Sequence, residues 1–158
     1  MRLLNSQRGV TLIESMVVIS IAGLLAATGA PAMGDYIRNS RLREAGHSLL
    51  SEALYAQSEA VKRNGRVRLT VRGSAIEVVD RSGNSEVVLH TRTMPGDVHA
   101  GTTSLDFGSQ GRPAPFGTEA TVKLSLSQTT CSDALRCPAL RVEAGGAVRL
   151  CNDQNTCS

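Results

Sequence analysis

"RGVTLIESMVVISIAGLLAATGAPAM", residues 8–33, decides how this chain is built. From Val10 to Met33 every side chain is apolar, small or hydroxylated except one, the carboxylate of Glu14. As a helix these 24 residues rise about 36 Å, enough to cross a hydrocarbon core of about 30 Å. Arg2 and Arg8 precede the run, a bias that holds the N-terminus in the cytoplasm and puts everything after Pro31 on the far side. A secretory signal would end its apolar run in a cleavage site and lose it. Here Gly9 closes a short polar leader ahead of the run, so a cut at that point leaves the whole helix on the mature protein. A carboxylate inside a bilayer costs about 2.5 to 3.5 kcal/mol on insertion scales, so Glu14 calls for a partner.

Beyond Pro31 the helical pattern continues. Leu42, Ala45, Leu49, Ala53, Ala56 and Ala60 recur every three or four residues, while Arg41, Arg43, Glu44, Glu52 and Glu59 fall largely elsewhere, which predicts one apolar face. Pro31, with Gly29 and Gly34 beside it, is expected to bend the helix rather than end it. Gly65 in "RNGR" is the expected cap, so the helix from Val10 to Asn64 measures about 80 Å. Strands follow. "RVRLTVR" alternates Val67, Leu69 and Val71 against Arg66, Arg68, Thr70 and Arg72, a period of two. "AIEVVD" and "SEVVLHTRT" flank the turn "RSGN"; "TSLDF", "TVKLSLS", "ALRVE" and "AVRLC" complete the set, the last two joined by a hairpin at Gly145 and Gly146. The fold class is α+β: a long N-terminal helix, half membrane-spanning and half amphipathic, packed on a small antiparallel β body.

With 41% apolar but only 3% aromatic residues and no Trp, the core is aliphatic and a large aromatic ligand platform is not expected. The formal net charge is +3, and without Arg2 and Arg8 there remain 15 basic against 14 acidic residues, so charge overall selects no partner. Locally, Lys62, Arg63, Arg66, Arg68 and Arg72 fall in a run without one acid, enough to meet several phosphates or to serve as a solvated face. His47, His90 and His99 are dispersed over helix, strand and loop, so no metal site is expected. Asp97, Asp106 and Asp133 are read as turn residues. No nucleophile elbow, phosphate loop or zinc-protease motif is present; no catalytic residue, cofactor or small-molecule substrate is expected. Cys131, Cys137, Cys151 and Cys157 sit in the last 28 residues, with spacers too long for a CxxC motif. They read as two disulfides in an exported body. Three pairings are open; bridges tying Cys131 and Cys137 to Cys151 and Cys157 are preferred because they would pin the terminus.

"RGVTLIE" resembles the class III signal of type IV pilins and type II secretion pseudopilins. That resemblance implies that a prepilin peptidase cuts between Gly9 and Val10 and methylates the new amine, although the family usually has Phe where Val10 stands. It makes Glu14 the assembly residue, paired with the N-terminal amine of a neighbouring subunit. "LREAGHSLLSEALYAQSEAVKRNGRVRLTV" and "LDFGSQGRP" resemble the GspH/FimT family. The organisation so implied is a leader at 1–9, a transmembrane or filament-core helix at 10–33, an amphipathic half at 34–64, and a β-rich body with disulfides at 65–158. The implied function is that of a FimT/FimU-type minor pilin of a type IV pilus, a structural, initiation or tip-complex subunit. It would span the inner membrane once before joining other minor pilins and the major pilin near the pilus tip. Two alternatives stay open: a minor pseudopilin of type II secretion, and a DNA-binding minor pilin for natural transformation. DNA-binding members resemble one another in a Gly-Arg-x-Arg element at the last hairpin. Here "GAVR", Gly146 to Arg149, has Ala147 at the first Arg and keeps Arg149, so weak DNA binding is expected.

Overall fold

The computed structural model describes residues 10–157; residues 1–9, the expected leader with Gly9, lie outside the described residues. The chain divides into two compact units between Tyr36 and Ile37. One helix, α1 (Leu12–Lys62), contributes to both and is unbroken in sequence across Pro31.

In the first unit the helix window Leu12–Gly29 has a mean hydropathy of 1.9 and none of it is buried. By length and composition it can cross a membrane. Its hydroxyls are satisfied within the helix: Ser20 Oγ donates to Met16 O at 2.8 Å and Thr28 Oγ1 to Leu25 O at 3.1 Å. The stretch therefore exposes no unpaired hydroxyl to an apolar surround.

In the second unit, Leu42, Ala45, Leu49, Ala53, Ala56 and Ala60 are all fully buried, the predicted stripe without exception. Four of the six are alanine, so the buried face of the helix is built mostly of small side chains. Eight antiparallel strands follow: β1 (Val67–Gly73), β2 (Ala75–Asp80), β3 (Val87–Thr93), β4 (Val98–Phe107), β5 (Pro113–Ala114), β6 (Ala120–Leu126), β7 (Ala139–Val142) and β8 (Val148–Cys151). Their order is β3-β2-β1-β4-β6-β7-β8, with β5 added to β4. Val67, Leu69, Val71, Ile76, Val78, Leu105, Phe107, Leu124 and Leu140 join the helix stripe in one core. The two edges differ in their exposure: β3 shows Val87 and Val88 to solvent, while Val148 at the opposite edge is partly buried against the core.

The helix ends at Lys62, two residues short of the expected Asn64, and its left-handed cap position falls one residue before Gly65. Asn64 takes the left-handed conformation (φ 49°), its N–H donates to Val61 O, and the Gly65 N–H donates to Ala60 O. That pair of bonds is a Schellman cap with Asn at the left-handed position. Gly65 is needed for another reason, since a Cβ there would lie 1.8 Å from Ser82 Oγ. β4 also begins before "TSLDF": its first half, Val98–Ala100, pairs with Leu126–Leu124 of β6, and its second half pairs with β1.

The cysteines pair locally, which corrects the preferred long-range pairing. Cys131 joins Cys137 and Cys151 joins Cys157, with Cα separations of 5.7 and 5.5 Å. The reason is the β7–β8 register. Ala139 lies opposite Cys151, so the strands are already fixed side by side and each cysteine meets its partner across its own short loop. Hydrogen bonds hold the terminus instead: Gln154 N–H to Cys137 O at 2.7 Å, and Arg141 Nη1 to Cys157 O at 3.5 Å.

Candidate assembly helix and basic surface

Val10, 71% exposed, precedes a helix start built by Thr11. The Glu14 N–H donates to Thr11 Oγ1 at 3.3 Å and the Ser15 N–H to Thr11 O at 3.1 Å. Thr11 is thus the N-cap, and Glu14 sits three residues on, in the first turn, where a carboxylate complements the helix dipole. Its side chain is exposed, and among the described residues the carboxylate has no partner. Among the described residues nothing competes for a cation brought to Glu14. Every described residue around it, from Val10 to Gly29, is exposed as well.

The basic run lies at the helix end and on β1, and the fold brings acids to most of it. Lys62 Nζ is 3.2 Å from Glu59 Oε1, and Arg63 Nε is 2.7 Å from Glu59 Oε2. Arg63 also reaches Asp80 Oδ2 at 3.1 Å. Arg68 makes a two-pronged contact with Asp106, 2.7 and 2.9 Å, because the two residues are direct register partners on β1 and β4. Asp106 is therefore a strand residue, not the turn residue its sequence context suggests. Arg149 on β8 pairs with Glu143. Of the six basic residues singled out, only Arg66 and Arg72 have no acidic partner among the described residues.

These contacts shift titration in the expected directions. The Arg63 and Lys62 side chains hold the Glu59 carboxyl below its usual value. Hydrogen bonds from Ser82, then Arg63, lower that of Asp80. Arg63 and Arg68 are pushed up by Glu59 and Asp106 respectively. Lys62, Arg63 and Arg68 thus face Glu59, Asp80 and Asp106, three cations against three carboxylates, so this surface is less cationic than the basic run alone implies.

His47, His90 and His99 do not meet. His90 Nδ1 lies 2.8 Å from Glu52 Oε2, with Arg92 Nη1 at 3.4 Å from Glu52 Oε1, so two β3 side chains partner a buried helix carboxylate. His99 contacts Ser125 and Ser127. No group of three or more metal-ligating side chains occurs among the described residues.

Gln57 went unnoticed in the sequence. Its Nε2 donates to Gly111 O (2.6 Å) and to Gly146 O (2.7 Å), tying the β4–β5 turn and the last hairpin to the helix. Gly146 (φ +93°) must be glycine there, because a Cβ would meet Gly111 O at 2.7 Å. The only sequence signal was Gln57's place beside the apolar stripe, one residue after Ala56.

Comparison with known proteins matches this arrangement to pilus subunits. A fimbrial protein of Moraxella nonliquefaciens is 39% identical over 77 residues, 49% of each chain. Fimbrial protein Q of Moraxella bovis is 55% identical over 38 residues, 24% of each chain. The chain thus spans about half or less of the length of the curated relatives it matches. In fold it is similar to the type IV minor pilin FimU of Pseudomonas aeruginosa in two crystal forms. One has a TM-score of 0.58 at 18% identity, covering 73% of this chain and 91% of that one. The other has 0.55 at 21% identity, covering 68% and 90%. The prokaryotic N-terminal methylation motif matches residues 4–30, spanning Gly9, Val10 and Glu14. The family of the type II transport protein GspH matches residues 45–146, the packed half of the helix and most of the sheet, and the chain belongs to that family.

Proposed function

We propose that the chain is a minor pilin of a type IV pilus, processed by a prepilin peptidase between Gly9 and Val10 and assembled through its N-terminal helix into an initiation or tip complex. The observation that carries this reading is the exposed apolar helix, in which Glu14 is the one charged residue from Val10 to Met33 and has no partner among the described residues. A neighbouring subunit's N-terminal amine satisfies that carboxylate in a filament core. The likeness to fimbrial proteins and to FimU supports a pilus over a secretion system, and the family is one of structural subunits rather than enzymes. Before assembly the subunit crosses the inner membrane once, N-terminus in the cytoplasm and body in the periplasm.

Glu14→Gln tests the reading, since it keeps the shape and removes the charge. A charge-assisted hydrogen bond contributes about 1.5 to 3 kcal/mol, so its recovery from sheared filaments falls at least about tenfold. Insertion and cleavage continue, with Val10 as the methylated N-terminus by intact mass. Wild-type recovery of the variant sinks the assembly role; an unprocessed Met1 terminus on the native protein sinks the pilin reading. The second reading, a minor pseudopilin, is favoured by the family match itself. It predicts that deleting the chain abolishes protein secretion and leaves surface pili intact.

A further inference from the structure

Not every arginine of the body is matched by an acid. Arg43 on the helix and Arg136 in the loop closed by Cys131 and Cys137 are both exposed, have no acidic partner among the described residues, and line one groove. The groove measures about 300 Å³ and lies wholly within the second unit. Asp133, Asn39 and Asn152 contribute further polar groups, and Pro138 and Leu150 give it an apolar floor. Asp133 forms no ion pair with either arginine, so both guanidiniums stay open to a ligand.

The groove is built before anything enters it. Leu135 is buried and anchors the loop that carries Asp133 and Arg136. Ser132 and Leu135 exchange backbone hydrogen bonds across that loop at 2.9 and 3.1 Å. Asn39 ties it to the helix, donating to Ala134 O at 2.9 Å and accepting from the Arg136 N–H at 3.3 Å. At the other wall the Gln154 N–H donates to Cys137 O at 2.7 Å and fixes the chain beyond Asn152. Gly46 lets the floor close on the helix, because a Cβ there would lie 3.1 Å from Leu150 Cδ1. A site fixed in this way costs a ligand little ordering.

Its charges select the ligand. Two arginines against Asp133 leave one net positive charge among the lining residues, which matches a single carboxylate. A guanidinium fork pairs with carboxylate oxygens, and the apolar floor suits the short stem of an acidic side chain. A nucleic-acid backbone brings a charge at every phosphate and would meet Asp133 with no third cation in the lining to offset it. The volume lies at the bottom of the range of small-molecule sites, about 300 to 1,000 Å³, and holds a side chain rather than a larger compound.

We infer that this groove takes an acidic side chain from a neighbouring subunit of the same fold, with Arg43 and Arg136 binding its carboxylate. The inference rests on the reading of the chain as a filament subunit, which supplies that neighbour.

Arg136→Lys tests it, since it keeps the charge and puts a primary amine in the groove. A carbodiimide joins such an amine to a touching carboxylate as an amide and leaves as the urea. The full chain carrying the substitution is treated in membranes of cells that assemble filaments, and cross-linked peptides are identified by mass spectrometry. An amide from position 136 to an acidic residue of a pilin-fold subunit is expected, with a yield that falls at least about tenfold when Arg43→Glu is added. Where that second change lowers the amount of chain, Arg43→Gln takes its place. No intersubunit amide overturns the inference, as does an amide confined to Asp133 of the same chain, or one to a lipid or to a protein of another fold. So does a yield that the Arg43 variant leaves unchanged or that added duplex DNA suppresses. Because amides are scored in membranes, absence of the chain from sheared filaments sinks the pilin reading while the groove is still judged on its own cross-link.

Discussion

Glu59 and Asp80 fasten the end of the helix to the sheet through Arg63, at 2.7 and 3.1 Å. The Glu59 side chain is only 8% exposed, so its two cations replace water that it lacks. Both carboxyls titrate below their ordinary values in the folded protein. In the unfolded chain they titrate near about 4.3 and 3.9. The stabilisation is therefore complete above the unfolded values and is lost as pH falls through the lowered folded ones. Urea unfolding of the detergent-solubilised chain should show midpoints that are flat from pH 7 to about 5 and decline below about 4. Glu59→Gln should lower the neutral midpoint and shallow the acid limb. Parallel acid limbs for the two proteins would show that Glu59 contributes nothing to the decline.

At the scale of the element, helix α1 is held by small side chains. Ala56 is fully buried against the sheet, so Ala56→Leu forces three extra carbons into a closed space and should cost about 1 to 3 kcal/mol. Leu54→Ala, at a position 46% exposed, should change stability by less than about 0.5 kcal/mol. Equal Tm values for these two variants would mean that the stripe does not set the packing. This stripe was readable because helical spacing fixes which side chains share a face, and all six residues so identified are buried. The second half of α1, β1, β2 and the last hairpin were readable for the same kind of reason. Register between distant strands is not written in local spacing. Asp106 therefore looked like a turn residue until β4 placed it opposite Arg68, and the first half of β4, "VHAGTT", gave no clean alternation to read. The basic run looked unopposed only in part for the same reason: Asp80 and Asp106 come from neighbouring strands, whereas Glu59, one helical turn before Lys62 and Arg63, was legible from helical spacing alone.

Across the whole molecule, this pairing weighs against a DNA receptor. Four of the six candidate contacts, Lys62, Arg63, Arg68 and Arg149, already hold carboxylates. Phosphate would have to displace those partners while gaining only Arg66 and Arg72 outright. Duplex DNA should then bind no tighter than about 10⁻⁴ to 10⁻⁶ M at physiological salt, the non-specific range. A titration at two salt concentrations checks it. Submicromolar affinity near 150 mM salt that Arg66→Ala abolishes would make the chain a DNA receptor.

The locality of the two disulfides has a mechanical consequence for a protein that is pulled. Each bridge spans a sequence separation of six, so each shields only the five residues between its cysteines from stretching. Reduction therefore frees ten residues in total, about 35 Å of extra contour. A bridge from Cys131 to Cys157 would instead have locked β7, β8 and the hairpin between them as one inextensible loop. In single-molecule pulling, oxidised and reduced forms should thus differ by about 35 Å in released length; a difference several times larger would show that the bridges span the strands. Resistance of this body to tension resides in the strand ladder, and the redox state of its surroundings alters its reach very little.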